Sequence, residues 1–302
     1  MIFFNTPKFW YKPSNVITRW LNGVLSGIYK YVKSEEYAFE PEIDVIAIGG
    51  ATVGGAGKTP VAKYLYLTLE NKGKIPAICL RGYGRKSSEA IVVNPEKHTF
   101  EEVGDEALLL SKYARVIVSA DRKKAHDIAI SLGINTLILD DGFEQRDIKP
   151  RTKVLVIDGF QGVGNGLLFP LGPLRNSFQA SIEMSDKIIM LNEDRHNISQ
   201  LIPHCIRAHV VPNFENIPHD IIAFSGLGMN EKFFNSLTKN FNLIKTFSFP
   251  DHYPYTETDI EKMLKFKYQL VTTEKDYQRI PDKFKSYVKY IPIDLRCNNE
   301  WI

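Results

Sequence analysis

The chain has 302 residues, 44% of them hydrophobic and 24% charged, with 38 Lys+Arg against 35 Asp+Glu. These values exclude disordered, collagen-like and disulfide-scaffold classes and leave room for one large or two ordinary domains. Three widely spaced cysteines (Cys79, Cys205, Cys297) without a CxxC point to a reducing compartment and no cysteine metal site. No apolar run reaches the length of a membrane span, and no signal-peptide pattern opens the chain, so the expectation is a cytoplasmic α/β protein.

The net charge of +3 is unevenly spread. Residues 1–34 carry Lys8, Lys12, Arg19, Lys30 and Lys33 and no acid, which leaves the remainder slightly negative and unsuited to nucleic acid. After Pro13-Ser14, apolar residues fall at Val16, Ile17, Trp20, Leu21, Val24, Leu25, Ile28, Tyr29 and Val32. That spacing predicts a helix with one apolar stripe and a basic opposite face, either packed on the core or lying in an anionic bilayer interface. Gly23 and Gly27 weaken it in isolation by about 1 kcal/mol each, so a contact surface has to compensate.

From Asp44 the pattern alternates between short β-branched runs and helical stretches. Strands are expected near 44–48, 75–80, 90–93, 115–119, 135–139 and 153–157, with helices near 59–71, 105–113 and 121–132. Such alternation predicts a parallel sheet with helices on both faces. Residues 158–175 form a long glycine- and proline-rich loop, too long to be idle in a compact domain. A smaller α/β unit is expected from about 212, with strands at 221–224, 243–249, 269–273 and 287–293 and helices at 230–238 and 256–266. The chain thus divides into 1–34, 35–211 and 212–302.

The sharpest chemical signal is Thr52, Val53, Gly54, Gly55, Ala56, Gly57, Lys58 and Thr59, between a strand and a helix. Glycines let backbone N–H groups approach phosphate, and the helix N-terminus adds positive potential. Lys58 would reach the β- and γ-phosphates, and Thr59 would offer its hydroxyl to Mg²⁺. The strict P-loop pattern has glycine where this chain has Thr52. A second metal anchor is expected at the end of a neighbouring strand, and Asp140-Asp141-Gly142 supplies it. An Asp-Gly pair is also an ordinary turn.

Other clusters are less specific. Arg81-Gly82-Tyr83-Gly84-Arg85-Lys86 follows a strand and suits phosphate or a basic turn. Asp105, in Gly104-Asp105-Glu106, reads as a helix N-cap. Asp121-Arg122-Lys123 reads alike, with Arg122 able to face an anion. His252, in Phe249-Pro-Asp251-His252-Tyr-Pro254, lies in a polar turn where structural histidines are common. Thr273-Glu274-Lys275-Asp276 is a cap or a base-recognition edge.

Together TVGGAGKTP (52–60), RGYG (81–84), GDE (104–106), LDDGF (139–143), GNGLLFPLGPLR (164–175), FSGLG (224–228), FPDHYPYT (249–256) and TTEKD (272–276) resemble, in order, the tetraacyldisaccharide 4′-kinases, the lipid A 4′-kinases of Gram-negative bacteria. The resemblance implies a P-loop kinase domain joined by a β-ribbon to a smaller α/β domain, with a membrane-associating N-terminal helix. It implies ATP-dependent phosphorylation of the 4′-hydroxyl of a tetraacylated glucosamine disaccharide 1-phosphate by a peripheral protein at the cytoplasmic face of the inner membrane. ATP and Mg²⁺ are the implied cofactors and the acylated lipid and the membrane surface the partners; no nucleic-acid or protein partner is expected. It further implies that Asp105 takes the hydroxyl proton, that His252 orients it across the domains, and that Lys58 offsets γ-phosphate charge.

Four positions depart from the family pattern. DDGFQH is here DDGFEQ, with Glu144 and Gln145; GPLRE ends in Asn176; and Leu171 replaces a small residue. Two other classes fit parts of the sequence. A P-loop GTPase or metallochaperone would require a guanine reader, and Lys275 falls one place late for it. A non-catalytic membrane-binding module would leave the P-loop unused.

Overall fold

The computed structural model describes residues 7–32, 36–83, 85 and 87–297. Of the residues singled out above, Lys33, Gly84 and Lys86 lie outside these, as do the side chains of Lys8, Ile28, Tyr29, Lys30 and Val32.

Thirteen described strands form two sheets. The strands are β1 (Asp44–Gly50), β2 (Pro76–Leu80), β3 (Ile91–Val92), β4 (Val116–Val118), β5 (Thr136–Leu139), β6 (Thr152–Asp158), β7 (Lys187–Leu191), β8 (Ile206–Pro212), β9 (Asp220–Ser225), β10 (Asn242–Ser248), β11 (Gln269–Thr273), β12 (Val288–Ile291) and β13 (Ile293–Cys297). The described α-helices are α1 (Val16–Val32), α2 (Lys58–Asn71), α3 (Phe100–Val103), α4 (Asp105–Leu110), α5 (Arg122–Ser131), α6 (Phe178–Glu183), α7 (Asn230–Leu237), α8 (Glu257–Leu264) and α9 (Glu274–Tyr277).

The large sheet runs β13-β8-β7-β6-β1-β5-β2-β4-β3, parallel except for its two edge strands. β1 is central because Val45, Ala47 and Ile48 are fully buried on both faces, as a strand covered by helices requires. On one face Ile46, Ile48, Ile78 and Ile138 pack with Val61 and Leu65 of α2 and Leu110 of α4. On the other, Val45, Ala77 and Leu137 pack with Ala125 and Ala129 of α5. Gly49 admits no larger residue, since a Cβ there would lie 2.2 Å from Phe143 Cβ.

Local chemistry sets the helix ends. Gly57 takes a left-handed conformation (φ 79°) and releases the chain into α2, where Pro60 sits harmlessly in the first turn. Asp121 caps α5 by accepting from Lys123 N at 3.0 Å and Lys124 N at 3.1 Å.

The small sheet, β10-β9-β11-β12, is wholly parallel, with α7 on one face and α8 on the other. Two features depart from the sequence reading. The strands β7 and β8 arise in a stretch assigned no elements. The single final strand expected at 287–293 is two strands separated by Pro292, which cannot donate to a ladder. Only β12 stays in the small sheet. β13 crosses the boundary placed at 212 and pairs antiparallel with β8, Ile293 opposite Pro212. The small unit is therefore inserted between adjacent strands, and Asn213 N donates to Pro292 O at 2.9 Å across its neck.

Candidate active site

The carboxyl ends of β1, β2 and β5 gather the residues picked out by sequence. Beyond β1 the loop turns through Gly54 (φ 77°), Gly55 (φ 48°) and Gly57, where a Cβ would meet Leu191 Cδ1 at 2.3 Å. Its backbone is stitched to the long loop of residues 159–175. Val53 N donates to Pro173 O at 2.7 Å, Arg175 N to Ala51 O at 3.3 Å, and buried Thr52 bridges Leu174. Thr52 thus stands where the loop pairs like a short strand, a setting that suits a β-branched residue in place of glycine. Val53, Gly54, Gly55 and Ala56 complete the turn, and Lys58 and Thr59 open α2, both half-buried.

Lys58 Nζ lies 3.4 Å from Asp141 Oδ1. Asp141 adopts φ 61°, turning its side chain toward Arg175, whose Nη1 and Nη2 reach its two oxygens at 2.8 and 3.2 Å. Burial pushes the Asp141 carboxyl up, but Lys58 and Arg175 outweigh this and hold it below the usual carboxylate range. Asp140 is the opposite case. Burial, with Glu106 and Asp141 nearby, pushes it up to about 7 against the pull of Lys58 and Arg122. Its Oδ1 has no hydrogen-bond partner among the described residues. A buried carboxylate with an unpaired oxygen, beside a second acid and the Thr59 end of the loop, fits a hard divalent cation bound by oxygen.

Behind the pair, Arg122 is buried and donates to Gln145 Oε1 at 3.0 Å and Asp140 O at 3.4 Å, while Gln145 donates to Asp141 O at 3.0 Å. Arg122 therefore braces the acidic turn and does not face an open anion site. Three of the family departures fall in this bracing: Gln145 holds the turn, and Asn176 donates to Glu144 Oε2 at 2.6 Å. Leu171 offers its carbonyl to Asn165 Nδ2 at 3.0 Å.

Asp105 is the first residue of α4 and not its N-cap. Gly104 precedes it at φ 90°, and Asp105 Oδ1 accepts from Glu106 N at 2.9 Å. Its other oxygen accepts from His252 Nδ1 at 2.9 Å, across 147 residues and between the two units. His252 takes φ 58° and anchors its own N–H on Gly226 O at 3.1 Å. Arg279 Nε lies 3.4 Å from Asp105, and Arg279 is held in turn by Asp276. Burial raises the Asp105 carboxyl, but Lys275, His252 and Arg279 together drive it far below the usual range, so it stays ionised.

Sequence reasoning passed over the cations that complete this site. Lys275 donates to Glu106 Oε1 at 2.9 Å, and Tyr113 OH to Glu274 Oε1 at 2.5 Å, so α9 of the small unit is clamped onto α4. Asp276 is fully buried and accepts from Tyr255 OH at 2.8 Å and Gly226 N at 2.9 Å. These bonds occupy Lys275 and Asp276 completely enough to rule against a guanine-reading edge. Glu106 links the two halves of the site electrostatically, since Lys275 and Lys58 both hold its carboxyl down.

The N-terminal segment reaches the same place. Trp10 is buried and donates to Pro170 O at 3.0 Å, its carbonyl accepts from Asn165 N at 2.6 Å, and its ring meets Phe169 edge-on at 6.0 Å. Tyr11 hydrogen-bonds Gln161, and Asn22 of α1 accepts from Leu168 N at 2.7 Å. Beyond these contacts α1 presents Val16, Ile17, Trp20, Leu21 and Val24 to solvent, with Trp20 69% exposed. The alternative of a stripe packed on the core is thereby excluded for these residues. No helix among the described residues is long and apolar enough to cross a membrane.

Comparison with known proteins places the chain in a family. Residues 17–302 match the family described as tetraacyldisaccharide-1-P 4′-kinase. The tetraacyldisaccharide 4′-kinase of Gluconobacter oxydans is 35% identical over 303 residues, covering 96% of this chain and 93% of that protein. The one from Paramagnetospirillum magneticum is 35% identical over 308 residues, with the same coverage. Among solved structures, LpxK from Aquifex aeolicus in complex with ATP superimposes with a TM-score of 0.70 at 26% identity, covering 92% of each chain. By both sequence and fold, this chain belongs to the tetraacyldisaccharide 4′-kinase family.

Proposed function

We propose that the residues converging at the edge of the large sheet transfer the γ-phosphoryl group of ATP to the 4′-hydroxyl of a tetraacylated glucosamine disaccharide 1-phosphate. Family membership makes the chain an ATP-dependent kinase of lipid A biosynthesis. The reading of its site is carried by one observation above all: the Asp105–His252 pair stands beside Glu106, which lies within electrostatic reach of Lys58 of the phosphate loop.

In this reading the N–H groups of residues 52–59 and the start of α2 cradle the triphosphate. Lys58 turns from Asp141 to the γ-phosphate, leaving Asp141 neutralised by Arg175. Thr59, Asp140 and Asp141 would hold Mg²⁺, which when bound supplies charge neutralisation at the phosphates. The sugar hydroxyl oxygen attacks phosphorus in line, its proton passes to the Asp105 carboxylate, and the bond to the β-phosphate oxygen breaks to release ADP. His252, donating through Nδ1, orients Asp105. An acid held ionised at every working pH is a weak but always available acceptor, which suits a loose transition state in which the proton leaves late.

Three working parts belong to the same proposal: residues 1–34 as the membrane-associating segment, 35–211 as the kinase unit, and 212–302 as the smaller unit, with 293–297 lent back to the large sheet. The exposed stripe of α1 lies in the interface of the inner membrane's cytoplasmic face, where an acylated sugar can be met without leaving the bilayer. Replacing Trp20 by glutamate is expected to weaken binding to phosphatidylglycerol-containing vesicles about tenfold, the cost of one large apolar anchor, measured by flotation. ATP affinity should stay unchanged. Deleting 1–34 is a poorer test, because it also removes Trp10 from the loop that supports Val53 and Arg175. The transfer itself is tested by incubating the protein with labelled ATP and a tetraacylated disaccharide 1-phosphate. A product carrying one added phosphate at the 4′ position is expected, and ATP turnover without it would overturn the reading.

A further inference from the structure

We propose that Lys275 is a positioning residue that fixes His252 as the neutral tautomer protonated on Nδ1, and so decides which member of the Asp105–His252 pair receives the substrate's proton. This rests on the kinase reading above. Lys275 Nζ lies 3.3 Å from His252 Nε2 and 2.9 Å from Glu106 Oε1. An ammonium group has three donors and no acceptor, so at this contact Nε2 has to offer its lone pair. The ring proton is then on Nδ1, where it points at Asp105 Oδ2. A doubly protonated ring would set an N–H against the ammonium and bring two positive charges together.

The other charged groups around His252 are Asp105 and Glu106 on α4, Arg279 beyond Asp105, and Asp251 beside it. Asp251 alone would favour a proton on Nε2, but its oxygen is 3.9 Å away, outside hydrogen-bond reach. Burial pulls the Lys275 ammonium down, yet Glu106, Asp105 and Asp251 outweigh that and keep it charged. With Nδ1 already carrying a proton and Nε2 occupied by Lys275, His252 has no free site for the hydroxyl's proton. Asp105 is the acceptor, and His252 holds it in place.

Full-length protein labelled with ¹⁵N-histidine tests this, with the His252 signals identified by their loss in His252→Gln. The expected spectrum at neutral pH shows an unprotonated Nε2 and a protonated Nδ1. In Lys275→Met, with no donor left at Nε2, the ring should become a mixture of the two tautomers. Lys275→Arg, which keeps the charge and the donors, should restore the single tautomer. A lysine that merely holds the units together would lower kcat on substitution and leave the tautomer in place; that result overturns the proposal. So does a protonated Nε2 in the unaltered protein, which decides the matter even if Lys275→Met fails to fold. If the tautomer is as described but no acceptor is phosphorylated, the kinase reading fails and the positioning role stands.

Discussion

Asp105→Asn is expected to lower kcat for phosphoryl transfer by about 10²–10⁴-fold, the usual contribution of a positioned proton acceptor, while leaving the dissociation constant for ATP nearly unchanged. The substitution keeps the shape of the side chain, but its single oxygen can accept from His252 Nδ1 or from Glu106 N and not from both, since an amide nitrogen replaces the other acceptor. It removes the charge, and with it the basicity. Folding should survive, because Arg279 keeps Asp276 as its partner and the units stay joined through Lys275–Glu106 and Tyr113–Glu274. Steady-state turnover against calorimetric ATP binding separates the two effects. Undiminished turnover would remove Asp105 from the chemistry and leave its buried charge cluster as interdomain glue.

Lys58→Met should affect both quantities. In the proposed reading Lys58 follows the γ-phosphoryl group as it leaves ADP, and losing one such contact at a developing negative charge costs about 10²–10³-fold in turnover. ATP binding weakens with it, because the ground-state triphosphate also loses its partner. Asp141, although deprived of one cation, remains paired with Arg175, so the acidic turn should keep its shape. The contrast with Asp105→Asn is the informative part. If Lys58→Met left nucleotide binding intact and slowed only transfer, the loop would hold the triphosphate through its backbone alone.

The parts of this site that could be read along the chain are those whose chemistry is local. Gly54, Gly55 and Gly57 fix a backbone that non-glycine residues resist, and the strand ending in Asp140-Asp141 carries its own turn signal, so loop and acidic pair could be placed without a fold. The small unit's strands at 221–224 and 269–273 announced themselves by apolar runs between turns. The pairing of Asp105 with His252 carried no such signal and came only through family resemblance. Arg279 was invisible for the same reason, and Arg175 and Lys275, although they lie in motifs read along the chain, gave no sign of the acids they face. Each acts on an acid in another element, and neither periodicity nor spacing records which charges a tertiary fold brings face to face. Strands β7 and β8 were overlooked although Lys187–Leu191 is a plain apolar run. β13 was misassigned because Pro292 interrupts what looks like one strand.

The neck at Asn213 and Pro292 has a mechanical consequence. A lobe hung on a single tether can swivel freely, whereas one whose entry and exit are laced together can only flex as a paired ribbon bends or twists. In this structure His252 already rests on Asp105 at 2.9 Å, and any departure from that contact is confined to the bending and twisting of two short strands. The same lacing makes the lobe a removable cassette. Joining 212 to 293 by a tight turn would leave β8 and β13 as an ordinary hairpin on an otherwise intact sheet.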